Sequence, residues 1–232
     1  MCGPWSSPRA EALCSPSATG QRSHTMHIEL IIVRHGQSEG NRDRVFTGHG
    51  PSPLTERGRR EADAVARRLA EKPVSAIFAS DLPRALETAA PLVEKTGVQL
   101  VADPALRERN FGDLTGTSFA DIEARHPDVW RALLARDPLF RPPGGESNAD
   151  CRARIAGFVE ALFARGAEGR IVLVSHGVAI NQLLYHLLGV PAEAPPPVVF
   201  RVDNCSVQRV ERHDDTVRIV CINDRSHLEG LT

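Results

Sequence analysis

Two histidines, each followed by a glycine, stand at the ends of apolar runs in this sequence of 232 residues. His35 and Gly36 close the run "IELIIVRHG", and His176 and Gly177 close "RIVLVSHG". A neutral imidazole can attack an electrophile or carry a proton, and a glycine beside it lets another backbone segment approach closely. Both histidines are therefore candidates for one chemical site, in which one of them attacks.

Two arginines and one carboxyl complete this set. Arg34 directly precedes His35, Arg84 lies in "SDLPRALETA", and Glu108 lies in the glycine-flanked stretch "LRERNFGDLTG". A planar guanidinium binds two phosphate oxygens at once, and a cluster of cationic donors repels itself unless an anion lies among them. The set predicts a pocket for phosphate, with Glu108 as the general acid for a leaving alkoxide.

The elements that must position these residues alternate along the chain. From residue 28 onward, short apolar runs alternate with amphipathic stretches, which predicts an α/β three-layer sandwich: a mostly parallel central sheet flanked by helices. Strands are predicted at 28–33, 75–80, 98–103 and 171–175, and the tail 198–224 predicts two or three strands turning at "HDD", antiparallel at the sheet edge. Ligands bind beyond the carboxyl ends of parallel strands. We expect the four pocket residues to meet there: Arg34, His35, Arg84 and His176.

Capping signals place the helices between these strands. We expect N-caps at Thr55, at Asp81 with Pro83 and Arg84 in the first turn, at Thr117 or Ser118, and at Ser147. Pro127 should interrupt the third of these helices, and a last helix should end at Gly189.

Composition limits the function classes. The formal net charge is −1 and no block of like charge occurs, which argues against nucleic-acid binding and a membrane-binding face. No apolar run approaches the roughly 20 residues that span a bilayer. Five cysteines without a CxxC pair indicate a reducing, cytoplasmic location. Residues 1–26, rich in Gly, Pro and Ser, predict a disordered extension before a single domain at 27–232. Nothing in the sequence indicates the oligomeric state.

Five motifs in order resemble a known family. "LIIVRHGQSEGN", "SDLPRALETA", "LRERNFGDLTG", "PPGGES" and "VLVSHG" follow the order and spacing of the histidine phosphatase superfamily, which has the phosphoglycerate mutase-like fold. The resemblance covers nearly all of residues 27–232, and it implies an enzyme that acts on a small phosphate ester without a metal or other cofactor.

The resemblance also implies a role for each matching residue. His35 resembles the nucleophile that becomes phosphohistidine, and the phosphate pocket corresponds to Arg34, Arg84 and His176. Asn41 matches a further phosphate contact. Glu108 matches the proton donor, and afterwards the base that activates water.

Two activities occur in this superfamily, and the sequence carries signals of both. Thr47 and Gly48 resemble the pair that holds the substrate carboxylate in cofactor-dependent mutases. In contrast, Phe111 and Asn110 replace a tyrosine and a histidine of those mutases, the segment from Glu108 to His176 looks shorter, and an arginine pair is reduced to Arg131. We therefore predict a phosphatase, with Phe111 at the substrate. The alternatives are a 2,3-bisphosphoglycerate-dependent mutase and a non-catalytic phospho-ligand binding protein.

Further candidates for the mouth of the site are Phe46, His49, Phe140 and Arg141.

Overall fold

Six strands form one sheet in the computed structural model, which describes residues 27–231; the predicted N-terminal extension lies outside the described residues. The strands are β1 (His27–Arg34), β2 (Ala76–Ala79), β3 (Leu100–Ala102), β4 (Gly169–Ser175), β5 (Val207–His213) and β6 (Thr216–Asp224). Their order is β3-β2-β4-β1-β5-β6. The first four are parallel to one another, β5 is antiparallel to β1, and β6 is antiparallel to β5. The mostly parallel sheet is confirmed, with β6 at its edge.

Seven helices accompany the strands within residues 27–231. They are α1 (Glu39–Arg42), α2 (Glu56–Leu69), α3 (Pro83–Thr96), α4 (Phe119–Arg125), α5 (Pro127–Ala135), α6 (Asn148–Ala164) and α7 (Gly177–Leu187). The predicted N-caps Thr55, Ser118 and Ser147 each accept a hydrogen bond from the first turn of α2, α4 and α6. None of the helices in this part of the chain is both long and apolar enough to span a membrane.

One predicted cap is wrong. The N-cap of α3 is Leu82, which makes no side-chain cap bond. The Asp81 carboxylate instead accepts two hydrogen bonds from Arg107, at 2.6 and 2.5 Å. A bidentate, charge-assisted pair is stronger than a single bond to a backbone amide, so Asp81 joins α3 to the loop that carries Glu108.

The sheet is covered on both faces. Alternate residues of β1 point in opposite directions, with Ile32 in a cluster that includes α6 and α7 and Ile31 in one that includes α2 and α3. This arrangement confirms the predicted three-layer sandwich.

Neighbouring strands bring the two histidines together. Arg34 pairs with Ser175 in the parallel register of β1 and β4, and the His35 amide donates to the Ser175 carbonyl at 2.9 Å. His35 and His176 therefore leave adjacent strands at the same level.

The predicted tail strands are shorter than expected. Residues 198–206 form no strand and turn at Asn204 and Cys205 before β5 begins. This segment passes over the carboxyl end of β1, where it contributes to the site.

Candidate active site

Two buried imidazoles form the centre of the site. The ring centroids of His35 and His176 lie 4.9 Å apart, and the two residues are 3% and 0% exposed. The predicted convergence of the two His-Gly strand ends is present in the structure.

The contacts of His35 define its free nitrogen. Its Nδ1 lies 2.8 Å from the Gly36 carbonyl oxygen, and because a carbonyl can only accept, Nδ1 carries the proton. Nε2 then keeps its lone pair, and it has no hydrogen-bond partner within the described residues. Burial lowers the pKa of His35 well below 6.5, and the nearby charges of Arg84 and Arg34 lower it further. The ring is therefore neutral near neutral pH.

The imidazole of His176 is buried without a hydrogen bond in the described part of the chain. Neither ring nitrogen has one within residues 27–231, although both atoms are buried. Burial, followed by the charges of Arg84, His35 and Arg34, lowers the pKa of His176 well below 6.5. Buried polar atoms are nearly always hydrogen-bonded, so this ring indicates a place for a ligand.

Two arginines flank the imidazoles, the half-buried Arg34 and the buried Arg84. Arg34 Nη1 donates to the Val202 carbonyl at 2.7 Å, and Arg84 donates to the carbonyls of Gly48 and Gly50 at 2.7 and 3.2 Å. The Nε atoms of both arginines are buried without a partner in the described part of the chain. Burial lowers the pKa of Arg84 to about 10, while Glu108 opposes this shift. Both guanidiniums remain charged near neutral pH, so an anion would complete the site.

Glu108 is fixed by three backbone amides. Its Oε1 accepts from Arg109 N at 2.8 Å and Ala179 N at 3.1 Å, and its Oε2 accepts from Val178 N at 3.2 Å. Two of these amides belong to the first turn of α7, whose dipole favours negative charge. Oε2 has one acceptor position left, so Oε2 is the atom on which a transferable proton would sit.

Three of the four predicted substrate-binding residues line a cavity of about 420 Å³. Asn41, Thr47 and Phe111 line it together with Arg34 and Glu108. The Asn41 Oδ1 accepts hydrogen bonds from Ser38 N and Asn204 Nδ2, at 3.2 and 2.9 Å. The amide NH₂ group of Asn41 therefore remains available to a ligand.

Gly48 does not line the cavity; its carbonyl accepts from Arg84. A Cβ at Gly48, where φ is +46°, would lie 2.9 Å from Phe111 N. Glycine therefore lets this loop pass close to the Glu108 loop.

Three of the candidates for the mouth of the site lie elsewhere, as does Arg131, which remains from the mutase arginine pair. Arg131 pairs with Asp128 and is 76% exposed, and Arg141 pairs with Asp150. His49 contacts the Glu108 carbonyl at 2.8 Å. Phe140 lies beneath the Arg109 guanidinium. Unlike Phe46, these residues do not line the cavity.

Two supporting residues were missed by the sequence reasoning. Asn204 Nδ2 donates to the His35 carbonyl at 2.9 Å. Arg154 donates to the carbonyls of Ala105, Arg107 and Glu108 and so fixes the loop of the general-acid candidate. The turn-forming pair Asp-Asn at 203–204, inside an apolar run, is the one sequence signal that pointed to this segment.

Comparison with known proteins gives a consistent family assignment. The family model described as histidine phosphatase superfamily (branch 1) matches residues 30–225. The probable phosphoglycerate mutase GpmB of Proteus mirabilis (strain HI4320) is 35% identical over 185 residues, which cover 79% of this chain and 85% of that protein.

Solved structures agree with this assignment. Mycobacterial glucosyl-3-phosphoglycerate phosphatase in complex with VO3 is 34% identical, with a TM-score of 0.78 over 85% of this chain and 99% of that chain. The alpha-ribazole phosphatase from Shigella flexneri is 26% identical, with a TM-score of 0.76 over 84% of this chain and 96% of that chain.

Proposed function

The chain belongs to the histidine phosphatase superfamily, and from this premise we propose that it is a metal-independent phosphatase for small phosphate monoesters. The observation that carries the proposal is the pair of neutral, buried imidazoles between Arg34 and Arg84, next to a cavity that Arg34 and Glu108 line. This donor set fits one phosphoryl group. The reaction would proceed through phosphohistidine.

In the first step His35 attacks. Its Nε2 lone pair forms a bond to phosphorus while the bond from phosphorus to the ester oxygen breaks, and a proton on Glu108 Oε2 goes to that oxygen. Arg34, Arg84 and His176 stabilise the charge on the phosphoryl oxygens. The Gly36 carbonyl keeps the proton on Nδ1 and stabilises the positive charge that the ring acquires.

In the second step water regenerates the enzyme. Glu108, now a carboxylate, takes a proton from water as the water oxygen bonds to phosphorus and the bond from Nε2 to phosphorus breaks. Inorganic phosphate and the original protonation state of both residues result. The free amide NH₂ group of Asn41 would hold a phosphate oxygen throughout.

A phosphatase is favoured over a mutase because two arginines that could receive a substrate carboxylate, Arg109 and Arg131, are already engaged with protein oxygens. Arg131 is exposed and paired with Asp128. Arg109 is buried, and it donates to the carbonyls of Glu146 and Phe140 and to Asn148 Oδ1. An alcohol leaving group would not be retained for a return transfer, so water would take the phosphoryl group.

A phosphoglycerate mutase is the second candidate. It is supported by the name of the Proteus relative and by Thr47, which lines the cavity together with Arg34.

The location in the cytoplasm stays a prediction.

A paired assay in EDTA tests the proposal. It measures phosphate released from a panel of phosphate esters, and in parallel the conversion of 3-phosphoglycerate to 2-phosphoglycerate with and without 2,3-bisphosphoglycerate. We expect phosphate release without isomerisation.

Each other result has a defined meaning. Bisphosphate-dependent isomerisation that exceeds hydrolysis would establish the mutase instead. Saturable binding of esters without turnover would establish a binding protein. Activity that disappears in EDTA and returns with a divalent cation would contradict metal independence.

A further inference from the structure

One wall of the cavity comes from an amphipathic helix that has no buried residue. The residues Trp130, Leu133 and Leu134 of α5, spaced i, i+3 and i+4, line the cavity. This spacing puts them on one face of the helix. Leu134 is 56% exposed. Trp130 and Leu133 pack in part against the cluster that contains Phe46 and Phe111, and the rest of this face borders the cavity.

The facing wall is also apolar. Pro196, Val199 and Phe200 line the cavity from the segment before β5, and Val199 is 49% exposed. This segment is held by its backbone, since the Tyr185 hydroxyl donates to the Val198 carbonyl at 2.9 Å and Phe200 N donates to Asn181 Oδ1 at 3.2 Å. These bonds use the polar groups of the wall and leave apolar surface towards the cavity.

The floor next to the phosphate pocket is aromatic. Phe46 and Phe111 line the cavity and pack with their ring centroids 4.9 Å apart. Phe119 lies 4.5 Å from Phe46, so the aromatic surface continues towards α5.

Charged groups are few along this path. Beyond Arg34, the cationic residues among those that line the cavity are Arg109 and Arg136. The hydrogen bonds of Arg109 go to protein oxygens, as described above, and Arg136 is exposed at the C-terminal end of α5. In a phosphorylated hydroxy acid only one or two carbons separate the carboxylate from the ester oxygen. Such a carboxylate would lie near Glu108 and apolar rings, where Arg109 is already engaged with protein oxygens.

We propose that the leaving group is a hydrophobic alcohol, so that the enzyme prefers phosphate monoesters of aromatic or medium-chain aliphatic alcohols over phosphorylated small acids. The inference rests on the proposed phosphatase function and names its substrate class. A cavity of about 420 Å³ lies in the size range of small-ligand sites, and its apolar walls are continuous with the phosphate pocket at Arg34 and Glu108.

The experiment uses straight-chain primary alkyl phosphates from ethyl to octyl, with 3-phosphoglycerate as the small acid. The alkoxides of this series have similar basicity, so chain length changes binding in the cavity and leaves the chemistry nearly constant. We expect kcat/KM to rise by about fourfold per methylene, the effect of burying one CH₂ group, until the cavity is filled. Ethyl phosphate should exceed 3-phosphoglycerate.

Two variants test whether the dependence of kcat/KM on chain length arises at the cavity wall. Leu134→Lys places a charge on the cavity wall and should lower kcat/KM for octyl phosphate by about tenfold, with ethyl phosphate changed by less than about twofold. Leu139→Lys is the matched control, because Leu139 is 60% exposed and does not line the cavity. It should leave the whole series unchanged.

The outcomes separate this inference from the proposed function. Measurable hydrolysis that is flat or falls with chain length, or that favours 3-phosphoglycerate, would overturn the substrate class and leave the phosphatase intact. Equal losses in both lysine variants would remove the cavity walls from substrate binding. Failure to hydrolyse any ester would refute the phosphatase, and the substrate class with it.

Discussion

The two ends of the cavity are built in different ways. At the phosphate end, the side chains are buried or half-buried. Backbone groups hold them: Gly36 fixes His35 after β1, Val202 fixes Arg34, and the start of α7 fixes Glu108 in its loop. At the other end, Trp130, Leu134 and Val199 are partly exposed and line the cavity with apolar groups.

This difference separates two tasks. Phosphoryl transfer needs groups that are preorganised before the substrate arrives, and burial between strand ends supplies that rigidity. Recognition of the leaving group needs shape and apolar area, which a short helix and a loop can vary without disturbing the sheet. The buried end therefore defines the reaction, and the apolar end defines the substrate.

The largest effect should come from removing the nucleophile at the rigid end. For His35→Ala we expect kcat to fall by at least about 10⁴-fold, the scale on which covalent nucleophiles act, for every ester regardless of its alcohol. Rapid-quench detection of acid-labile phosphohistidine, which should be absent in the variant, checks the role directly. His126→Ala is the control, since His126 is exposed. Undiminished phosphorylation of His35→Ala would assign the nucleophile to another residue.

The rigid end is also the part of the site that the sequence predicted best. The two His-Gly ends follow apolar runs of β-branched residues, and parallel pairing of such strands places their ends side by side. Arg84 was located by Pro83, which marks a first helical turn. These signals are local, so a single sequence was enough to read them.

Long-range pairing accounts for what the sequence did not reveal. Asp81 has the residue type of an N-cap, but its partner Arg107 is 26 positions away. Asn204 reaches the His35 carbonyl across 169 positions, and the local pattern there predicted a strand. Which of several possible polar partners a side chain bonds to depends on the assembled fold.

The second prediction tests whether the rigid end sacrifices stability for function. Within residues 27–231, neither ring nitrogen of His176 has a hydrogen-bond partner, so His176→Leu should raise the free energy of unfolding by about 1 kcal/mol while lowering kcat about 100-fold. Urea unfolding and steady-state kinetics measure the two changes. Tyr185→Phe is the control: it removes a hydroxyl that does have partners and should lower stability. A large loss of stability in His176→Leu would show that the imidazole is structural.

The third prediction concerns the pH dependence of stability. His35 and His176 have pKa values well below 6.5 in the folded protein, because burial and the arginines disfavour the imidazolium form. Below about pH 6.5 the unfolded chain therefore binds more protons than the folded one, and stability falls as pH decreases, by up to about 1.4 kcal/mol per pH unit for each histidine. The carboxylates contribute equally to the pH dependence of both proteins. Their contribution therefore cancels when the unfolding free energy of wild type is subtracted from that of His176→Leu. That difference should grow as pH falls from 6.5; a constant difference would contradict the lowered pKa.

The smallest expected effect belongs to a residue that lies outside both ends. Arg131 is 76% exposed, pairs with Asp128 at 2.9 Å and does not line the cavity. An exposed pair one helical turn apart stabilises a helix by only about 0.3–0.5 kcal/mol, so Arg131→Ala should change stability by less than about 0.5 kcal/mol and kcat/KM for 3-phosphoglycerate by less than about twofold. Arg136→Ala is the informative comparison, because Arg136 does line the cavity. If Arg131→Ala alone impaired 3-phosphoglycerate turnover, the helix that forms the apolar wall would also supply a carboxylate contact. Specificity would then lie in charge rather than in apolar area, and the division between the two ends of the cavity would fail at its outer end.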